Sequence, residues 1–521
     1  MARALRWLLL SLLLLLFCSC AQSFLKRQTR GDPSSTAKHH SSHWFDQKLD
    51  HFSKKRSRFW LQWKDIFLAY LLTNCSLHEV KEIERSLQST PEGYGKANLM
   101  LSVTVTQVIL IQSSSWAWNK YSICFQNIHF YFIVKLMLSS IFSTLVIATN
   151  SMHLSFNYRD LSTTSLRYLS SRQALGDIVN FRTEIARKLG LTKNKWVTFG
   201  GSYGGSLAVW SRIKYPNLFA AAVGSSAPVQ AKLNFYEYNE VIGRILSAHN
   251  SECTKAVKEA FAILVHMLKR QKYYSKVEKD FMLCEPIKIN SPKDTAFLMV
   301  NMIHLVHFFV HKQLNKIIKG EPDELSIDNL CDNMNDASLG SPYDRFTKIA
   351  HLFLKSKDKD CLSANYSDEL EELSNSSLDD LHIKYERQWL YQCCTEFGFF
   401  ETTDSKNQPF SGTPLRYFFQ MCSDVFGPEF SRDLVARGVK TTNKYYGGFN
   451  VNGSKIIFSN GSNDPWHHLG ITKDISKDLP AVFIKGEGHC ADVSEQDDTD
   501  SAELIEAREK IFQILQKWLK Q

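Results

Sequence analysis

The sequence predicts an α/β protein built on a mostly parallel sheet. Three observations carry that reading. Residues 196–199, 455–459 and 481–485 are short apolar runs that each lead into a glycine-containing turn, as buried parallel strands do. Residues 207–212 follow the first run with helical character, so strand, turn and helix succeed one another directly. The chain closes on residues 501–521, where Leu504, Ile511, Leu515 and Trp518 fall on one face of an amphipathic helix. A chain of 521 residues can bury a large core and hold more than one structural unit.

Taken in order, the first unit is a leader. Arg3 and Arg6 precede an apolar run at 7–17, and small residues follow at 18–21. This predicts a signal peptide over 1–21, too short to anchor the chain in a membrane. Residues 22–53 form a lead-in. His39, His40 and His43 in it have no Cys or carboxylate nearby at ligand spacing, so a solvated tail is expected and no metal. Residues 54–159 are anomalous: Gly93, Gly95 and Pro91 are their only glycines and proline, and the first strands of a sheet are not recognisable in them. Residues 128–149 are apolar but interrupted by His129 and Lys135, which favours buried strands or disordered non-native sequence over a membrane span.

Residues 160–232 carry the first half of the sheet and its chemistry. A helix is expected where Ala174, Ile178, Phe181, Ile185 and Leu189 share a face before Gly190. Gly200-Gly201-Ser202-Tyr203-Gly204 then matches G-x-S-x-G, in which the glycines permit a strained turn that lifts the serine hydroxyl above a sheet. Ser202 is the candidate nucleophile, and the Tyr203 backbone N–H is one candidate oxyanion donor. In an α/β-hydrolase the acid and then the histidine follow the serine in the chain. Asp464 lies in the turn after residues 455–459, and His489 on the loop after 481–485, where open α/β sheets place their chemistry. His467 and His468 are too close to Asp464 to supply the base from the same turn. Asp492 is the competing acid, out of the expected order and three residues from His489. Between these halves, residues 233–440 are glycine-poor, with helical periodicity at 253–269, 296–319 and 370–393, which predicts an inserted helical cap. Residues 441–521 complete the hydrolase sheet.

Cysteine usage and sequons agree with an oxidising compartment. Cys253, Cys284, Cys331, Cys361, Cys393, Cys394, Cys422 and Cys490 make an even set consistent with disulfides, and Asn365, Asn375, Asn452 and Asn460 begin glycosylation sequons. The net charge of +9 is spread along the chain with no basic block, so no nucleic-acid partner is expected. Neither a metal nor an organic cofactor is implied by the serine, histidine and aspartate set.

At these residues the chain resembles a known family. Residues 200–208, Ser225-Ser226-Ala227-Pro228-Val229, Gln392-Cys393-Cys394-Thr395-Glu396-Phe397-Gly398, residues 460–466 and Gly488-His489-Cys490-Ala491-Asp492 look like the serine peptidases that include lysosomal Pro-X carboxypeptidase and dipeptidyl peptidase II. The resemblance covers residues 44–53 and 160–521. It implies Ser202 as nucleophile, Asp464 as acid, His489 as base and Trp466 as a wall of the pocket for the residue before the cut. It also implies peptide substrates, cleavage near proline, a cap that restricts access to chain ends, and a secretory route to endosomes, lysosomes or other cytoplasmic vesicles. A role in antigen-peptide processing and a homodimer fit the same resemblance. The family places its first strands and a further oxyanion segment where residues 54–159 stand. The competing expectation is therefore a catalytically inactive hydrolase-fold protein, or a defective splice isoform with a binding role.

Overall fold

The computed structural model describes residues 160–314, 325–377, 385–494, 496 and 498–521, together with three strands at 45–48, 59–62 and 108–110. All belong to one compact unit, spanning 45–62 and 93–521. The expected signal peptide, the apolar stretch 128–149, Cys75 and Cys124 lie outside the described residues. Among the described residues no helix is long and apolar enough to cross a membrane.

Strand β1 (Phe45–Lys48) pairs antiparallel with β2 (Phe59–Gln62). The main sheet has five strands in the order β3 (Val108–Leu110), β4 (Trp196–Gly201), β5 (Ala221–Ser225), β8 (Ile456–Gly461) and β9 (Ala481–Ile484). Strands β6 (Lys232–Asn234) and β7 (Gly398–Phe400) form a separate parallel pair. From β4 to β9 the sheet is parallel, so the ends of these strands, and the turns that follow them, lie along one edge. The architecture is that of an α/β-hydrolase. Strand β3 contributes one strand from within residues 54–159. It runs antiparallel to β4, with Val108 opposite Thr198 and Leu110 opposite Trp196.

The parallel strands β4, β5 and β8 are covered on both faces, which is why they read as apolar runs, while Phe483 of the edge strand β9 is exposed. Trp196, Val197 and Phe199 are buried, and the one polar group among them, the Thr198 hydroxyl, donates to the Ala208 carbonyl at 3.0 Å. Helices α1 (Ser171–Lys188) and α2 (Tyr203–Lys214) come from the first half of the sheet. The segment between β6 and β8 is helical: α3 (Glu237–His249), α4 (Ser251–Leu268), α5 (Pro292–Leu314), α6 (Ile327–Asn335), α7 (Pro342–Ser356), α8 (Tyr366–Ser374), α9 (Tyr385–Gln392), α10 (Leu415–Phe426) and α11 (Arg432–Tyr446). The boundary expected after residue 440 falls inside α11, and residues 370–393 hold parts of two helices. Helix α12 (Ala502–Lys520) closes the chain, capped by the Ser501 hydroxyl, which accepts from the Leu504 N–H at 3.1 Å. Its face of Leu504, Ile511, Leu515 and Trp518 packs on Val197, Phe199, Ile457, Val482 and Ile484.

Three disulfides lie within the helical segment: Cys253–Cys331, Cys284–Cys361 and Cys394–Cys422. By loop-closure entropy each of the two longer ones constrains the unfolded chain by about 4.5 kcal/mol. The even cysteine set is thus corrected to three pairs and two thiols, because Cys393 and Cys490 are buried and free. Neighbours on one helical turn point in different directions, so Cys394 can face Cys422 only if Cys393 does not.

Trp518 is 5% exposed on the sheet side of α12. Trp518→Ala is expected to lower unfolding free energy by about 3–5 kcal/mol in chemical denaturation. A loss under about 1 kcal/mol would mean that α12 does not complete the core.

Candidate active site

The turn after β4 is set by close backbone contact. A Cβ on Gly200 would sit 2.0 Å from the Gly204 carbonyl oxygen, and one on Gly205 would sit 2.7 Å from the Ser225 carbonyl oxygen. Only glycine lets strand and helix approach this closely. Between them Ser202 adopts φ 57° and ψ −130°, a conformation that costs a non-glycine residue about 1–3 kcal/mol. The Ser202 N–H donates to the Ser225 carbonyl at 2.9 Å and its carbonyl accepts from Ser206 at 3.1 Å, which hold the turn in place. Ser202 occupies the N-cap of α2, but its hydroxyl makes no capping hydrogen bond. The hydroxyl is left for other chemistry, and the first N–H groups of α2, Tyr203's among them, have no partner within the helix. The Tyr203 ring is buried against Trp210, Trp389 and Phe397, and its hydroxyl accepts from Gln392 Nε2 at 3.0 Å.

Asp464 follows β8 and His489 follows β9. His489 Nδ1 donates to Asp464 Oδ1 at 2.9 Å, and the same oxygen accepts from the Trp466 N–H at 2.9 Å. Asp464 is fully buried. Burial works against its charge, but His489, the Trp466 N–H and the nearby Ser226 hydroxyl outweigh it and hold the carboxyl below its ordinary range. Ser226 is close enough to stabilise that charge without forming a hydrogen bond to Oδ2, which is buried and unbonded. Burial likewise opposes protonation of His489, and the Asp464 carboxylate overrides it and raises the imidazole well above its usual value.

The residue after the histidine ties this pair to the serine turn. Cys490 Sγ lies 3.0 Å from where a Gly201 Cβ would be, and the Cys490 N–H donates to the Ser226 hydroxyl at 2.9 Å. Gly201 precedes Ser202 and Cys490 follows His489, so the two loops meet. Asp492, the competing acid, points elsewhere: its carboxylate accepts from the Ser225 hydroxyl, and burial raises its pKa. His467 turns its Nδ1 to the Asp464 carbonyl at 2.6 Å, stacks on His468 and is pushed down to about 4, mainly by burial.

Trp466 faces the pair with its ring 6.3 Å from that of His489. Phe235, Tyr238 and Phe399 pack around it at ring separations of 5.4, 5.8 and 5.3 Å, making an aromatic wall from three parts of the chain. Behind it the Tyr238 hydroxyl meets His311 Nε2 at 2.9 Å. Burial pushes His311 down to about 4 and Glu401 up to about 8.

Sequence reasoning missed Arg508. It lies on the apolar stripe of α12, between Leu504 and Ile511, and is itself buried. Its guanidinium donates to the carbonyls of Ala491, Asp492 and Ser494 and pairs with Asp500, which clamps the loop after His489. An arginine on a buried face was the available signal, since such a group needs several partners. Of the sequons, Asn375 and Asn452 are exposed and Asn365 is half-buried at the N-cap of α8. Asn460 corrects the expectation. It ends β8 buried, with Nδ2 donating to the Ile471 carbonyl at 2.9 Å, so it cannot carry a glycan in the folded chain.

Residues 154–511 match the family described as Serine carboxypeptidase S28. Thymus-specific serine protease of Mus musculus is 36% identical over 366 residues, covering 68% of this chain and 70% of its own. The Homo sapiens protein of that name is 36% identical over 371 residues, with 69% and 70% covered. Lysosomal Pro-X carboxypeptidase of Bos taurus is 24% identical over 374 residues, with 68% and 69% covered.

The geometry of the turn makes a direct prediction. Gly200→Ala must displace the Gly204 backbone, whereas Gly190, at φ 67° with nothing within 4 Å, can accept a side chain at a backbone cost of about 1–2 kcal/mol. Soluble yield and thermal melting are expected to collapse for Gly200→Ala and to fall only modestly for Gly190→Ala. Equal losses would remove the elbow as the tighter constraint.

Proposed function

The chain belongs to the S28 family of serine peptidases, hydrolases of peptide substrates, and on that premise we propose that it works through Ser202, His489 and Asp464. The observation that carries the proposal is the buried Asp464–His489 hydrogen bond beside the strained serine turn. With Nδ1 donating to Asp464, Nε2 of His489 is left to take the Ser202 proton. Ser202 Oγ attacks the peptide carbonyl, the Tyr203 N–H helps hold the oxyanion, and the amine leaves with the proton held by His489. Water then repeats the sequence on the acyl-enzyme and releases the acid. Trp466, with Phe235, Tyr238 and Phe399, offers a flat apolar wall suited to a proline ring before the cut. The helical segment, taken as a cap over residues 233–440, restricts entry to chain ends and gives exopeptidase behaviour. The resemblance to lysosomal Pro-X carboxypeptidase supports passage through the secretory route to endosomes or lysosomes, with Asn365, Asn375 and Asn452 as glycan acceptors. A part in antigen-peptide processing and assembly as a homodimer belong to the same reading.

One observation favours the second reading, a hydrolase-fold protein without turnover. In α/β-hydrolases a further oxyanion donor comes from a loop at the carboxyl end of a strand near the elbow. Strand β3, beside β4, runs the other way, so its carboxyl end lies away from the elbow. Losing one donor costs on the order of a hundred- to a thousandfold in turnover.

Fluorophosphonate labelling separates the two. Wild type is expected to label, while Ser202→Ala and His489→Ala both lose the label, since the members act as a unit. An unlabelled wild type would favour the inactive reading, and a labelled Ser202→Ala would remove the nucleophile assignment.

The pH profile tests the acid. His489 accepts a proton only when neutral, so kcat/KM rises as pH climbs through its raised pKa. Asp464→Asn removes the raising charge and leaves burial, which lowers the imidazole. The acid limb is then expected at lower pH than in wild type, with turnover down by about 10⁴-fold. An unmoved limb would transfer the acid role away from Asp464.

A further inference from the structure

His304 and His307 lie one turn apart on α5, and Glu401 follows β7. One ligand atom from each of the three falls within 4.8 Å of the others. The hydrogen bonds around His307 fix which nitrogen carries its proton. Asn239 Nδ2 donates to the Thr402 carbonyl at 2.9 Å, so Asn239 Oδ1 is the acceptor that faces His307 Nε2 at 2.8 Å. Nε2 therefore bears the hydrogen, and the lone pair of Nδ1 points toward Glu401 Oε2 at 4.0 Å. The two atoms lie beside each other with no hydrogen bond between them. His307 is 5% exposed, whereas His304 is open to solvent.

We propose that His304, His307 and Glu401 form a binding site for a divalent transition-metal ion of the zinc class. Two imidazoles and one carboxylate are a donor set that suits this class, and three protein ligands leave a position for water. A tetrahedral ion about 2.1 Å from each ligand holds the ligand atoms roughly 3.4 Å apart, so closing the set takes roughly 1.4 Å of movement. The exposed His304 and half-buried Glu401 side chains can supply it together, since the 4.0 Å between His307 Nδ1 and Glu401 Oε2 must also shorten. Asn239 supplies the outer contact that orients His307, as metal-bound imidazoles require. The ion would join α5 to the segment after β7, whose Phe399 packs on Trp466, while leaving the Ser202, Asp464 and His489 set outside its coordination.

The test is cobalt(II) titration of the metal-free full chain, read by visible absorption and by melting temperature with zinc(II). Wild type is expected to develop the strong bands of tetrahedral cobalt at one equivalent and to melt higher with zinc, because an ion bound only by the folded state stabilises it. His304→Gln leaves the buried packing intact and is expected to lose both effects. Glu401→Gln should lose them too, and Asn239→Ala should weaken binding by about 10–100-fold. His468→Gln, an exposed histidine outside the cluster, should match wild type. Absence of the bands in wild type, their survival in His304→Gln, or a sulfur-to-cobalt charge-transfer band that moves the site to Cys393 or Cys490 would each overturn the proposal.

Discussion

The contact of one backbone on another at the serine turn is the constraint on which the rest depends. With no side chain at Gly200 or Gly205, α2 lies directly against β4 and against the end of β5. Gly224 repeats the condition one strand over, where a Cβ would meet Val209 at 2.6 Å. The helix is thereby fixed over the sheet, and the strain at Ser202 is balanced by burial of nearly the whole of α2. Trp210 of that helix stacks on Tyr446 of α11 at 3.9 Å, so the helical segment is built upon the same foundation.

Asp464 and His489, the proposed acid and base, are held by a different means. Their loops have little regular structure of their own, and each is fixed by polar contacts to its neighbours. Ser225, which ends β5, and Ser226, which follows it, divide the work: one hydroxyl meets Asp492 and the other accepts from Cys490. Arg508 closes the far side of the loop from α12. The histidine is therefore located by the sheet edge on one side and by the closing helix on the other, and packing of that helix bears on geometry many residues away.

Much of this was legible in the sequence because the decisive features are local. A strand, a glycine turn and a helix can be read from adjacent residues, and so can a lone carboxylate in a turn after a strand. The closing helix announced itself by Leu504, Ile511, Leu515 and Trp518 at helical spacing. What escaped depends on contacts between distant segments. Nothing near Cys490 says that its partner is a glycine backbone rather than another cysteine, and nothing near Asn460 says that its amide is taken by Ile471. The direction of β3 is equally silent, since three apolar residues read the same in either sense. His304, His307 and Glu401 belong to elements almost a hundred residues apart and carry no common motif.

The distribution of the cross-links has a further meaning. Among the described residues all three disulfides join parts of the helical segment to one another, and none fastens the sheet. The sheet owes its order to buried apolar contact and to hydrogen bonds that a reductant does not touch. The two halves of the molecule thus answer to different features of their surroundings, one to electrons and the other to solvent. A chain carried from an oxidising medium into a reducing one would keep its platform while its helical segment loosened, so reduction would bear on the helices more than on the strand that leads into Ser202.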